Sequence, residues 1–157
     1  MKKTLVLGLG NPILTDDGIG IHVVRALTAQ PLPSGVVLTE AGVGGLRLLE
    51  TISGYRQVIL VDAIQTPDGQ PGEIYHLHPQ DLITSRHSGS THDLSFSGAL
   101  QLGRKLGMDI PEDAAIKIIA IQVEDVQTLG EKLTPAVEAA IPRAVEAVIA
   151  ALENKST

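Results

Sequence analysis

Cysteine and tryptophan are both absent from the 157 residues of this chain. The lack of cysteine excludes disulfides, a thiolate nucleophile and cysteine-ligated metals, and it permits a reducing compartment. Aromatic side chains are scarce, with one Phe and two Tyr, so stacking of single-stranded nucleic acid on aromatic platforms has little to work with. Basic residues are in deficit, 12 Lys and Arg against 18 Asp and Glu. The resulting formal charge of −6 opposes a phosphate-backbone partner. Long hydrophobic runs are missing too. The apolar stretch after Met1-Lys2-Lys3-Thr4 is about five residues long, too short for a signal-peptide core or a membrane span. The expectation is a cytoplasmic protein without nucleic-acid or membrane partners.

What the chain does have is aliphatic bulk. Apolar residues make up 43% of the sequence, enough to bury a substantial core in one domain covering residues 1–157. No internal repeat, linker or low-complexity tract divides it. The pattern predicts a strand near residues 4–8, a helix near 18–29 stopped by Pro31 and Pro33, and a second strand at Val36-Val37-Leu38-Thr39. A short helix carrying Leu46, Leu48, Leu49 and Ile52 comes next. Val58-Ile59-Leu60-Val61 is apolar throughout, as in a central parallel strand covered on both faces. Only about nine residues lead from there to Glu73-Ile74-Tyr75-His76-Leu77, too few for a parallel crossover, so strands three and four are expected to pair antiparallel. Pro79–Thr91 reads as polar and irregular, residues 93–106 as a helix, and residues 115–121 as a fifth buried strand. The last helix opens at Thr134-Pro135 with a threonine N-cap, and runs to about residue 153 with a kink at Pro142. The fold class is α/β: three layers, α/β/α, around a five-stranded, mostly parallel sheet containing one antiparallel strand.

The most informative stretch is Gly8 to Gly20, GLGNPILTDDGIG. It joins the first strand to the first helix and places Asp16 and Asp17 where the helix begins. One carboxylate can cap the helix and complement its dipole. The other is left for the crevice at the strand's C-terminal end, where open α/β sheets place their ligands. A dinucleotide-binding turn is excluded, because its third glycine falls on Ile13 and two negative charges follow. A Walker-type loop would need a Lys-Ser/Thr pair. A cation suits this turn better than a phosphate.

Asp62 ends the run Val58–Val61 and so sits at the same sheet edge as Asp17; alone it would read as a turn residue. His92 starts the helix after the Ser88-Gly89-Ser90 loop and can project to that edge. Asp17, Asp62 and His92 together form an oxygen/oxygen/nitrogen set suited to nickel or zinc. Asp16 is the supporting partner, read as a helix cap whose loss costs ~1 kcal/mol. Glu40, beside Gly42, is a candidate for support of the site or an ordinary surface carboxylate. His76 and His78 share a strand face but lack a third ligand. His22 reads as a partly exposed helix residue and His87 as a weak substrate-contact candidate. Ser85, Ser88 and Ser90 come without a Gly-x-Ser-x-Gly elbow, which argues against a serine nucleophile.

The turn G-x-G-N-x-x-x-x-D-[DE]-x-x-G, with Val61-Asp62-Ala63, Thr91-His92 and Leu133-Thr134-Pro135, resembles the hydrogenase maturation endopeptidases across nearly the whole chain. The resemblance implies an endopeptidase that trims a C-terminal peptide from the nickel-loaded large-subunit precursor of a nickel–iron hydrogenase. It implies that Asp17, Asp62 and His92 match the family's metal-contacting positions. It also implies that the nickel arrives in the substrate, with zinc or another divalent ion able to occupy the site in isolation. Two alternatives remain at this stage. LGLGNP also opens the peptidyl-tRNA hydrolases, but their Arg-His-Asn context and basic face are missing here. A non-catalytic metal-binding protein would keep the three ligands and cleave nothing.

Overall fold

The computed structural model describes residues 3–42, 46–84 and 91–153. Its strands form one five-stranded sheet in the order β2-β1-β3-β5-β4, built from β1 (Thr4–Leu9), β2 (Val36–Ala41), β3 (Gln57–Ile64), β4 (Ile74–Leu77) and β5 (Ile116–Gln122). β1, β2, β3 and β5 run parallel, and β4 is antiparallel to β5 at the edge. The three central strands, β1, β3 and β5, are the most buried ones, because helices cover both of their faces.

Alternation along the strands divides the core in two. Val6, Ile59, Val61, Ile119 and Ile121 face α1 (Ile19–Leu27) and α6 (Ile141–Glu153). Leu5, Leu7, Val58, Leu60, Ile64 and Ile118 face α2 (Leu46–Ile52) and α4 (Thr91–Lys105). Helix α1 forms because Ile19, Val23, Val24 and Leu27 recur at helical spacing, and all four are buried.

Its first turn meets the sheet with almost nothing in between. A β-carbon on Gly20 would lie 2.6 Å from the Leu9 carbonyl oxygen and still nearer that of Val61. One on Gly8 would collide with the Gly20 carbonyl. Two glycines thus allow backbone to rest on backbone where α1 crosses the ends of β1 and β3.

Several expectations need correcting. β4 is antiparallel, but its neighbour is β5 and not β3. The connection from β3 arches over the end of β5 and is tied to buried Gln122. The Thr66 hydroxyl donates to Gln122 Oε1 at 2.7 Å, and the Gly72 and Gln122 amides donate to Gln122 and Glu73 carbonyls, both at 2.8 Å. The segment after Pro79 begins with a helix, α3 (Pro79–Thr84); residues 85–90 lie outside the described residues. The last helix is two pieces, α5 (Pro135–Glu138) and α6, with Pro142 in the first turn of the second, where its missing N–H costs nothing. No described helix is long and apolar enough to cross a membrane.

Candidate active site

The sheet order sets where the site lies. From β1 the chain goes to β2 on one side and then to β3 on the other, so a crevice opens between the C-terminal ends of β1 and β3. Such topological switch points are where open α/β sheets hold ligands.

A 3₁₀ turn, Thr15–Gly18, follows β1 at this crevice and lies against β3. Its entry is tightly specified. Gly10 has φ +139°, and a β-carbon there would overlap the Asp17 carbonyl, so the Gly10-Asn11 bend wraps around Asp17. Thr15 has φ +49°, the one left-handed non-glycine among the described residues. A β-branched residue adopts that conformation only when its surroundings enforce it. Here the enforcement comes from the loop after β5: the Thr15 amide donates to Gly130 at 2.9 Å, and its hydroxyl donates to the Thr128 carbonyl.

The two adjacent aspartates have opposite fates. Asp16 is fully buried and accepts from the Glu124 and Asp125 amides at 3.0 Å each, the Thr134 amide at 2.8 Å and the Thr134 hydroxyl at 2.7 Å. It caps no helix; neither the 3₁₀ turn nor α1 has a side-chain cap. The expected threonine N-cap on the last helix is likewise replaced, since Thr134 makes no cap bond and gives its hydroxyl to Asp16. Nothing in the sequence marked this pairing, because its members are 108 to 118 residues apart.

Asp17 is half-buried. Its Oδ2 accepts from the Asn11 amide at 2.9 Å, and its Oδ1 accepts no hydrogen bond among the described residues. Asp62 lies within β3, one residue past the last β1 pairing, Gly8↔Val61. The strand continues to Ile64, so Asp62 marks the point where β1 parts from β3, while still paired with β2 at Leu9, and not the strand's end. Its Oδ1 accepts from the Ala63 amide at 2.8 Å, with a further partner besides. By alternation it shares the face of Leu60 and Ile64, against which Phe96 of α4 packs. His92 stands in the first turn of α4, one turn before Phe96; its side chain lies outside the described residues. Among those described, no three His, Asp or Glu side chains are grouped to hold a metal.

Glu40 pairs with Arg25, whose Nε and Nη2 donate to it at 2.9 and 3.1 Å. That hydrogen bond and charge hold the Arg25 guanidinium above its ordinary range. Glu40 also borders a shallow depression of about 360 Å³, lined by Gly10, Asn11, Pro12, Ile21, Ala41 and Gly42. His76 is exposed on β4, and His78 lies just past its end, with Nδ1 3.2 Å from the Ile116 carbonyl. His22 is half-buried in α1, its Nε2 without a hydrogen-bond partner among the described residues. His87 and the three serines of its loop fall outside the described residues.

Comparison with known proteins decides the family. The profile of the hydrogenase maturation proteases matches residues 21–151. The chain belongs to that family. It is 34% identical to the hydrogenase 2 maturation protease of Escherichia coli K12 over 97% of this chain and 92% of that protein. The solved hydrogenase maturating endopeptidase HybD of E. coli superposes with a TM-score of 0.82 at 31% identity, covering 98% of this chain and 94% of the other. The nickel–iron hydrogenase maturation protease HybD of Thermococcus kodakarensis gives 0.74 at 26%, covering 96% and 99%. The chain is therefore a peptidase of this family, and neither the peptidyl-tRNA hydrolase nor the non-catalytic alternative stands.

Proposed function

We propose that this peptidase removes the C-terminal peptide from the nickel-loaded large-subunit precursor of a nickel–iron hydrogenase, with Asp17, Asp62 and His92 contacting the nickel carried by that substrate. The observation that carries the assignment is the contrast within the aspartate pair. Asp16 commits both oxygens to the protein, whereas Asp17, beside it at the switch point, keeps one oxygen uncommitted among the described residues.

The donor set fits a borderline divalent ion, two carboxylates and an imidazole drawn from three elements of the fold. Three protein ligands leave positions for groups of the substrate. A divalent ion supplies positive charge at the scissile carbonyl and to an attacking water. The protein's contribution is placement. The turn around Asp17 is fixed by Gly10 and Asn11, and Asp62 is held by its own strand. No His-Glu-x-x-His helix is present to own a permanent catalytic metal. The chemistry fits a site that reads the metal of its substrate, and in isolation the same ligands bind Zn²⁺ or Ni²⁺ weakly.

The direct test is mass spectrometry of purified nickel-loaded precursor incubated with the protein. Loss of one C-terminal peptide is expected; an intact precursor would overturn the reading.

A further inference from the structure

Two of the large apolar side chains left in solvent belong to the two loops that meet beside the turn carrying Asp17. Ile13 is 51% exposed and Leu129 is 75% exposed. They belong to different loops, the one before the 3₁₀ turn and the one after β5. Leu14 and Gly130 form an isolated parallel bridge, which brings the backbone of Ile13 next to that of the Leu129-Gly130 segment.

The pair is held firmly. The Gly130 amide donates to the Ile13 carbonyl at 2.8 Å, and the Thr15 amide donates to Gly130 at 2.9 Å. Asp125 Oδ1 accepts from the Gln127 and Thr128 amides at 2.9 and 3.0 Å, closing the turn that leads to Leu129. Asp16 anchors both ends of the same loop. Single exposed aliphatic residues need no explanation. Two whose loops are tied to each other by a strained threonine and a buried carboxylate, with Ile13 four residues before Asp17, present apolar surface on the loops that frame that aspartate.

We propose that Ile13 and Leu129 form the platform on which the folded body of the large-subunit precursor docks, an apolar patch of the precursor covering them while its tail enters the crevice. The inference rests on the peptidase reading above. The platform holds the body of the substrate in the same way before and during cleavage, a uniform contribution to binding whose loss raises KM and leaves kcat unchanged.

The test is steady-state cleavage of nickel-loaded precursor by the wild type, by the double variant Ile13→Gln/Leu129→Gln, and by Leu106→Gln. Leu106, just past α4 and 66% exposed, between the values of Ile13 and Leu129, serves as the control. The double variant should raise KM at least about tenfold, with kcat within about twofold, while Leu106→Gln leaves both unchanged. If the double variant melts early, Leu129→Gln alone carries the test, since that side chain is largely in solvent already. An unchanged KM, or a fall in kcat alone, overturns the platform while the peptidase reading stands. A wild type that leaves the precursor intact overturns both.

Discussion

Asp16 and Thr134 are joined twice, the threonine amide to Oδ1 at 2.8 Å and its hydroxyl to Oδ2 at 2.7 Å. With the Glu124 and Asp125 amides also on Oδ2, this carboxylate fastens the turn after β1 to the loop after β5. Among the described residues the carboxylate of its neighbour Asp17 accepts a single hydrogen bond, from the Asn11 amide. Adjacent residues of the same type are therefore committed differently: Asp16 holds the loops, and under the proposed function Asp17 is the one that meets the substrate.

Replacing Asp16 by alanine would strand three amides and a hydroxyl in the interior. Hydrogen bonds to a charged acceptor are worth more than neutral ones, so the loss should reach about 3 kcal/mol or more. That exceeds the ~1 kcal/mol of an ordinary N-cap. Denaturant unfolding of Asp16→Ala checks it, and a loss near the capping value would show that the loops hold without this carboxylate.

Asp17→Asn keeps the shape and the Asn11 hydrogen bond but removes the charge a metal needs. Processing of the precursor should be abolished with little change in the thermal melt. Normal processing by Asp17→Asn, with Asp16→Asn equally folded and inactive, would reverse the two roles.

Nickel in the substrate should be required. Precursor prepared without nickel is expected to stay uncut however much enzyme is added. Efficient cleavage of the metal-free form would remove nickel recognition from the mechanism and leave the peptidase assignment intact.

Calorimetry with Zn²⁺ or Ni²⁺ should show weak binding to the wild type, lost in Asp17→Ala, Asp62→Ala and His92→Ala alike. Retained binding in any one of them would take that residue out of the ligand set.

Gly20→Ala tests the seating of α1. Alanine is the better helix former by about 1 kcal/mol, yet its β-carbon has to displace the Val61 and Leu9 carbonyls. A net destabilisation of roughly 2 kcal/mol is expected, because the obstructing atoms are backbone and cannot rotate away. An unchanged melting temperature would mean that the helix lifts off the sheet without cost.

Local patterns made much of this fold legible. Runs such as Val58–Val61 and Ile116–Ile121 are buried on both faces and could only be central strands. The sheet edge that carries Asp62 was legible because Asp62 directly follows the apolar run Val58–Val61, and the turn that carries Asp17 because it joins the first strand to the first helix. What sequence could not supply was the neighbour of β4. A nine-residue connection suggests a hairpin, but Gln122 at the end of β5 draws that connection across its own strand. The work of Asp16 was hidden for a related reason: all four of its donors come from a loop more than a hundred residues away, and at short range an aspartate before a helix looks like a cap.

The glycine seat beneath α1 bears on how such a sequence can drift. Helices resting on side chains shift by fractions of an ångström whenever those side chains are exchanged. Where Gly20 meets Val61 and Leu9, the spacing is a sum of main-chain atomic radii, which no substitution in either hydrophobic layer can alter. Asp17, three residues before Gly20, and Asp62, one after Val61, are thus gauged against each other by the backbone, and the crevice can keep its dimensions while the core around it is rewritten.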